Sequence, residues 1–335
     1  MMQYVFVYLI IIGILTLFVK KKKIIVSNTG SEHQTFANVT VPLVGGIYMF
    51  IPILALYIND FPFLIIAYTF FFCLGFLSDI NIIESPKKRF VLQLLILLIY
   101  TYISELEISS TRIDFFDVLL ENLAFSYIFT IFCLIVFING SNFIDGLNGL
   151  LITYILLIFF FLYKLDLLNE LGLNRPKEFC IIFILIFLAV MNMFNQLFLG
   201  DNGSYSLSFI IGILLINVYN FNDHITPYFI IVLLWYPCFE NLFSIIRKLI
   251  SNKNPLEPDN GHLHYHLYSV IKKGFKLSKI YSNNFASILI NIFNFVIFYV
   301  ASLNIYHTSY QLSILTFSII FYIIIYFILK KIVLN

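Results

Sequence analysis

Residues 118–150 read VLLENLAFSYIFTIFCLIVFINGSNFIDGLNGL. An apolar run long enough to cross a bilayer passes directly into small residues, amides and a single acid. A membrane-spanning helix needs about 20 mostly apolar residues. Asn139, Asn142 and Asp145 follow at i, i+3 and i+6, near one face if the stretch is helical. An apolar span ending in a polar, small-residue block recurs along the chain and sets the expected fold class, an all-α, polytopic integral membrane helix bundle.

The whole chain agrees with that stretch. Of its 335 residues 61% are hydrophobic and 11% charged, against about 45–50% and about 25% in soluble domains. No soluble fold covers so much apolar surface. Eleven spans are expected, near 4–19, 43–59, 62–78, 89–104, 118–138, 147–163, 178–198, 205–222, 227–246, 281–302 and 311–329. The first has no basic stretch before it, and Lys20 to Lys23 follow it. A retained anchor with its N-terminus outside is therefore expected, rather than a cleaved signal. Alternation then places 20–42, 79–88, 139–146, 199–204, 247–280 and the C-terminal tail inside. Those segments and their helix ends hold all the lysines and arginines except Arg112, Lys164, Arg175 and Lys177. That asymmetry obeys the positive-inside rule, giving eleven helices, N-out and C-in. One polytopic domain, 1–335, is expected, with 247–280 as the largest cytoplasmic loop, part of it helical.

The near-equal totals of 20 basic and 18 acidic residues argue against a nucleic-acid partner, which needs a concentrated basic face. The four cysteines lie within apolar runs without ligand spacing and read as small embedded hydrophobes.

The inside segments carry unusual polar residues. Asp79, Asp145 and Asp201 each sit beside small or amide residues, whereas the outside acids Glu105, Glu107, Asp114 and Asp166 have no such neighbours. Charge at a helix end is cheaply hydrated, but ionisable groups at spans are functional candidates by default. Three such groups on one face suggest phosphate together with a divalent cation, since Mg²⁺ takes carboxylates and phosphate oxygens. Asp201 lies in Gly-Asp-Asn-Gly, a favourable turn sequence. His262, His264 and His266 alternate, which suits one side of an extended segment. Zinc is conceivable, but no cysteine is near and the acids favour a harder ion. Imidazole contacts to phosphate fit better.

Taken together, these blocks resemble the polyprenyl-phosphate N-acetylhexosamine-1-phosphate transferases, membrane enzymes that start bacterial surface glycans and peptidoglycan. The similar blocks are Pro42-x-x-Gly45-Gly46, Gly75 to Asp79, Arg89-x-x-x-Gln93, Asn139-x-x-Asn142-x-x-Asp145-Gly146-x-x-Gly149, Phe198-x-Gly200-Asp201-x-Gly203-Ser204 and His262 to His266. They follow family order over about two thirds of the chain. The resemblance implies transfer of a sugar-1-phosphate from a UDP-N-acetyl sugar, by default UDP-N-acetylglucosamine, to undecaprenyl phosphate with release of UMP. It implies Mg²⁺, with Mn²⁺ as an alternative, held by Asp201 and Asp79. It implies catalytic roles for Asp79, Asp201, His262 and His264. Substrate contacts are implied for Asn139, Asn142, Asp145, Gly45, Gly46, Arg89, His266 and Glu240. The implied setting is the bacterial inner membrane among its lipids, with the site on the cytoplasmic face; a homodimer is compatible with the sequence.

Departures accompany the resemblance. The first of the family's paired aspartates is Ser78, Asn148 removes one acid, and Asn260 and Tyr265 replace a common arginine and histidine. The readings kept open are a phospho-N-acetylmuramoyl-pentapeptide transferase, a lipid-linked sugar flippase or secondary transporter, and an inactive scaffold. The transporter reading expects ionisable residues at mid-depth on broken helices, whereas here the polar blocks gather at one face. Orientation is directly testable. A reporter fluorescent only in the cytosol should light up when fused after Asn335 and stay dark when fused before Met1; the reverse pattern would overturn the N-out assignment.

Overall fold

A computed structural model describes residues 2–23, 25, 41–171, 175–222, 224–255 and 261–334. Among these the chain forms thirteen α-helices: α1 (Met2–Lys22), α2 (Gly45–Tyr57), α3 (Pro62–Asp79), α4 (Pro86–Ser104), α5 (Asp114–Leu120), α6 (Leu123–Ile144), α7 (Leu150–Lys164), α8 (Arg175–Met193), α9 (Gly200–Phe221), α10 (Pro227–Ile250), α11 (Leu263–Phe275), α12 (Lys279–Ser302) and α13 (Thr308–Leu334). An isolated parallel bridge joins Leu43 to Phe198. Pro62, Pro86 and Pro227 open α3, α4 and α10; proline's fixed φ and missing N–H suit a first helical turn.

Eight of these helices are long and apolar enough to cross a membrane: α1 (from Gln3), α3, α6, α8, α9, α10, α12 and α13. Helices α2 and α7 are apolar but shorter. Helix α4 covers the fourth expected span, and Lys87, Lys88 and Arg89 occupy its first turn. The all-helical membrane bundle expected from the sequence is the fold observed.

Three local expectations are corrected. The span expected at 118–138 is divided: α5 ends at Leu120, and Asn122 caps α6 by accepting from the Phe125 amide at 3.2 Å. Helix α6 therefore starts later and runs to Ile144, so Asn139 and Asn142 stand on its last turns, the helical setting in which their spacing places them near one face. Asp201 lies in the first turn of α9, not in a reverse turn. The histidines are not on an extended strand; His262 is the N-cap of α11, and His264 and His266 belong to that helix.

Helix α9 is the axis of the bundle, buried along most of its length and seated against α2, α3 and α6. Its hydroxyls are satisfied internally: Ser206 and Ser208 donate to the Asn202 and Ser204 carbonyls, as buried polar groups in hydrocarbon require. Helix α10 packs on α6 and α13. The outer apolar side chains of α1, α4 and α13, such as Phe6, Leu98 and Phe327, remain exposed, as lipid-facing residues should.

Glycine lets α9 sit so deeply. A Cβ on Gly75 of α3 would lie 2.4 Å from the Asn202 backbone, and one on Gly46 of α2 would lie 2.4 Å from the Gly203 nitrogen. Small residues at helix crossings bring backbones together in membranes. The amides of Gly45 and Gly46 donate to the Phe198 and Leu199 carbonyls at 2.9 and 3.0 Å, clamping the lead-in to α9. The polar termini of α3, α4, α6 and α9 consequently meet at one end. At the other end Arg112 donates to the carbonyls of Tyr306, His224 and Ile225.

Gly75→Val should be strongly disruptive, because overpacking alone costs about 1–3 kcal/mol and here the neighbour is backbone. A drop of several degrees in detergent melting temperature is expected, whereas exposed Phe70→Ala should shift it little.

Candidate active site

Asp201 is the hub of the polar end. Its carboxylate accepts from the Ser78 hydroxyl at 2.6 Å, Arg89 at 2.7 Å and the Asn142 amide at 2.8 Å. These donors come from the end of α3, the start of α4 and the last turns of α6. Arg89 also donates to Ser78 at 2.7 Å, so the hydroxyl and the guanidinium share one carboxylate oxygen. Asn142 reaches Ser204, one turn along α9, at 2.9 Å. The side chains of Arg89 and Asp201 are 23% and 18% exposed, so the pair is neither sealed nor fully solvated.

Asp79 does different work. One of its oxygens accepts from the Asp201 amide at 2.9 Å, and the other from the Asn202 amide at 3.0 Å and from the Asn202 side chain. The first N–H groups of a helix lack intrahelical partners, and a carboxylate there also opposes the positive end of the helix dipole. Gly200, at φ +78°, makes the bend leading into this cap; a Cβ there would meet the Asp79 carboxylate at 2.8 Å. Asp79 thus fixes the backbone from which Asp201 projects.

Gly45 and Gly46 lie beneath the site as the seat of α9, their amides committed to the chain. Asn139 donates to Gln93 at 2.9 Å and to the Ile135 carbonyl, so it ties α6 to α4. Asp145 is buried at the C-cap of α6. Burial, and then the Asp201 and Asp79 carboxylates, push its carboxyl well above the usual carboxylate range, biasing it toward the form that can donate a hydrogen bond. The loop after it is anchored by amides: Asn283 accepts from the Asn148 amide, Asn195 from the Asn148 side chain and Asn192 from the Gly149 amide.

The histidines divide. His262 and His264 stack nearly parallel, ring centres 5.4 Å apart, and Phe143 lies 5.1 Å from His262. His264 is fully buried beside Gly146, where a Cβ would meet its Nε2 at 3.0 Å. Both therefore adjoin the Asn142–Asp145 block. His266 instead faces Tyr326 on α13 at 5.3 Å. Burial, followed by the charges of Arg247 and Lys330, holds His266 below the ordinary imidazole value. Glu240 is buried against His262 at 2.9 Å. Asn260 lies outside the described residues.

A divalent cation is the group the sequence implies. Asp201 offers a partly accessible carboxylate with the Ser78 hydroxyl oxygen beside it, oxygen donors suited to a hard ion that substrate phosphates help to coordinate; the Arg89 guanidinium and the Asn142 NH₂ that donate to it would turn aside for such an ion. Asp79 has both oxygens taken by α9 amides, so the fit is to a site centred on Asp201 alone. Among the described residues no three acids, histidines or cysteines form a ready-made metal cluster. Sequence reasoning gave no role to Asn202, Ser204 or the amides of α8 and α12. Asparagine is common throughout this chain, so composition offered no signal for them.

Residues 61–219, which include Ser78, Asp79, Arg89, Asn142, Asp145 and Asp201, match glycosyl transferase family 4. The chain is similar to the undecaprenyl-phosphate alpha-N-acetylglucosaminyl 1-phosphate transferase of Thermotoga maritima, 27% identical over 231 residues, covering 68% of each chain. It is similar to the protein of the same name from Salmonella typhi, 26% identical over 264 residues, 74% of this chain and 69% of that one. It is also similar to the phospho-N-acetylmuramoyl-pentapeptide-transferase of Wolbachia pipientis, 27% identical over 207 residues, 56% of this chain and 63% of that one.

The two aspartates should separate by experiment. Asp79→Ala removes the cap of α9, a change that costs about 0.5–2 kcal/mol, and should lower the detergent melting temperature by several degrees. Asp201→Asn keeps the backbone contacts and should shift it less; equal losses would contradict the division of roles.

Proposed function

We propose that this chain, whose residues 61–219 match glycosyl transferase family 4, transfers a sugar-1-phosphate from a UDP-N-acetylhexosamine to undecaprenyl phosphate. UDP-N-acetylglucosamine is the default donor, and the inner face of a bacterial cytoplasmic membrane is the setting. The observation that carries the reading is the convergence of Ser78, Arg89 and Asn142 on Asp201, with Asp145 and His264 beside them, at the end of a membrane bundle. In this reading the site would take one substrate from the bilayer and the other from solution. A transporter would need its polar groups near mid-depth.

In the proposed reaction an oxygen of the lipid phosphate attacks the β-phosphorus of the donor. The bond from that phosphorus to the bridging oxygen breaks, and UMP leaves with the bridge. The sugar keeps its own C–O bond and hence its anomeric configuration. Phosphoryl transfer asks mainly for positioning and charge neutralisation. A divalent ion at Asp201 would neutralise diphosphate charge when bound. Arg89 supplies a fixed positive charge beside the same carboxylate and can turn its donors toward phosphate. Asn142 holds Asp201 from the far side. Asp145, buried at the C-cap of α6, adjoins the same group and is placed to contact the nucleotide. Ser78 is not needed as a base, because a phosphate monoester with a second pKa near 6 is already largely ionised at neutral pH. The pentapeptide transferase reading, suggested by the Wolbachia relative's name, differs only in the donor's appendage.

The test is UMP release by the purified chain with undecaprenyl phosphate, Mg²⁺ and a panel of UDP-N-acetyl sugars, including UDP-N-acetylmuramoyl-pentapeptide. Lipid-dependent release is expected, falling roughly 10²-fold or more in Asp201→Asn, the size of a lost electrostatic contact at a reacting centre. Arg89→Lys should also be poor, since a bidentate guanidinium is not replaced by a point charge. Release with no donor in the panel would refute the reading.

A further inference from the structure

Glu240 lies in α10, three residues past Pro237, and its side chain is 1% exposed. One carboxylate oxygen faces His262 Nδ1 at 2.9 Å and accepts from the Leu263 amide at 3.4 Å. The other accepts the hydroxyl of Tyr322, in the middle of α13, at 2.7 Å. His262 is 4% exposed and Tyr322 1%. Three elements far apart in the chain therefore place a tyrosine, an acid and an imidazole in one dry line ending at the Asn142–Asp145 block, where Phe143 packs on the imidazole.

We propose that Tyr322 and Glu240 are positioning residues that fix the tautomer and ring orientation of His262. An ionised carboxylate is acceptor-only, so the nitrogen facing it must carry the hydrogen. Nδ1 is thereby committed as N–H, and in the neutral ring Nε2 is the nitrogen that carries no hydrogen. The partner of one ring nitrogen sets the role of the other. In neutral His262 the Nε2 atom accepts a hydrogen bond; on protonation it becomes a donor suited to phosphate oxygen. Tyr322 completes the arrangement by filling the second carboxylate oxygen. A buried carboxylate left with unfilled lone pairs is costly, and with its second oxygen unpaired it would be free to rotate away from the imidazole. The ring of Tyr322 is held by Phe239, Phe243 and Trp235, at 5.0, 5.5 and 6.5 Å, so its hydroxyl arrives preset. That His262 then serves sugar-phosphate transfer rests on the proposed function; the Tyr322–Glu240–His262 arrangement itself does not.

Two variants isolate the effect. Tyr322→Phe removes one oxygen and keeps the ring packing. Glu240→Gln is isosteric but can turn its NH₂ toward His262, which would then present Nδ1 as acceptor and carry hydrogen on Nε2. The decisive readout is the nitrogen NMR spectrum of full-length protein labelled with ¹⁵N-histidine, His262 being identified by the signals lost in His262→Gln. In the unmodified protein the Nδ1–H tautomer is expected for the neutral ring, with inversion or mixing in Glu240→Gln and a smaller displacement in Tyr322→Phe. In activity, kcat should fall more than KM changes. The loss should be roughly 10–100-fold for Glu240→Gln, the range found for outer partners of working histidines, and smaller for Tyr322→Phe. An Nε2–H tautomer in the unmodified protein, or an unchanged spectrum in Glu240→Gln, would overturn the proposal. The spectrum is recorded without substrate, so it decides this point even if no transferase activity is found. Activity with an unaltered spectrum would sink this proposal and leave the transfer reaction standing.

Discussion

The carboxylate of Asp79 lies across the first N–H groups of α9, and the rest of the polar end depends on that contact. It works only because glycine lets three helices converge. Without Cβ atoms at Gly46 and Gly75 the backbones of α2 and α3 touch the first turn of α9, and Gly200 adopts a left-handed bend into the cap. The helix that results begins inside the bundle rather than at its rim. Asp201 in that first turn then meets Ser78, Arg89 and Asn142. A helix N-terminus is a natural seat for phosphate, through free amides and the dipole. Here an acid occupies the amides, so in the proposed reaction phosphate recognition would fall to Arg89, to a cation at Asp201 and to the histidine side.

That division gives the two carboxylates opposite characters although they lie close together. Asp79 is spent on structure, and its oxygens are saturated by backbone and by Asn202. Asp201 is held only by side chains, each of which can turn to another partner. The replacement of an aspartate by Ser78 fits this arrangement. A second carboxylate at that position would stand against Asp201, whereas the hydroxyl donates to it and lets Arg89 bridge both. The site keeps one accessible acid and one guanidinium, which would leave fewer fixed negative groups to repel phosphate in the proposed reaction.

Much of this was legible in the sequence, and what was missed has physical causes. The spans were readable because apolar length contrasts sharply with the charged and amide blocks, and the lysine asymmetry located those blocks on one face. Alternation placed Asp79, Arg89, Asn142 and Asp201 on one face, whereas their direct contacts depend on how α3, α4, α6 and α9 cross and were not legible. Asp201 was misread as part of a turn because glycine, asparagine and aspartate suit turns and helix starts equally. The alternating histidines suggested an extended strand, but His262 is the last extended residue before α11, so the alternation straddles a helix start. Tyr322 carried no signal at all: one hydroxyl among 22 tyrosines in an apolar span looks like any packing residue until Glu240 is found opposite it.

The proposed transfer requires the polar end of this bundle to break one particular bond. It is tested most directly with a UDP-N-acetyl sugar carrying ¹⁸O in the oxygen that bridges the two phosphorus atoms. Mass analysis of the products in the presence of undecaprenyl phosphate should find the label in UMP and the sugar-linked oxygen unlabelled in the lipid diphosphate product. Label retained in the lipid product, or a lipid bearing sugar without its phosphate, would contradict the account.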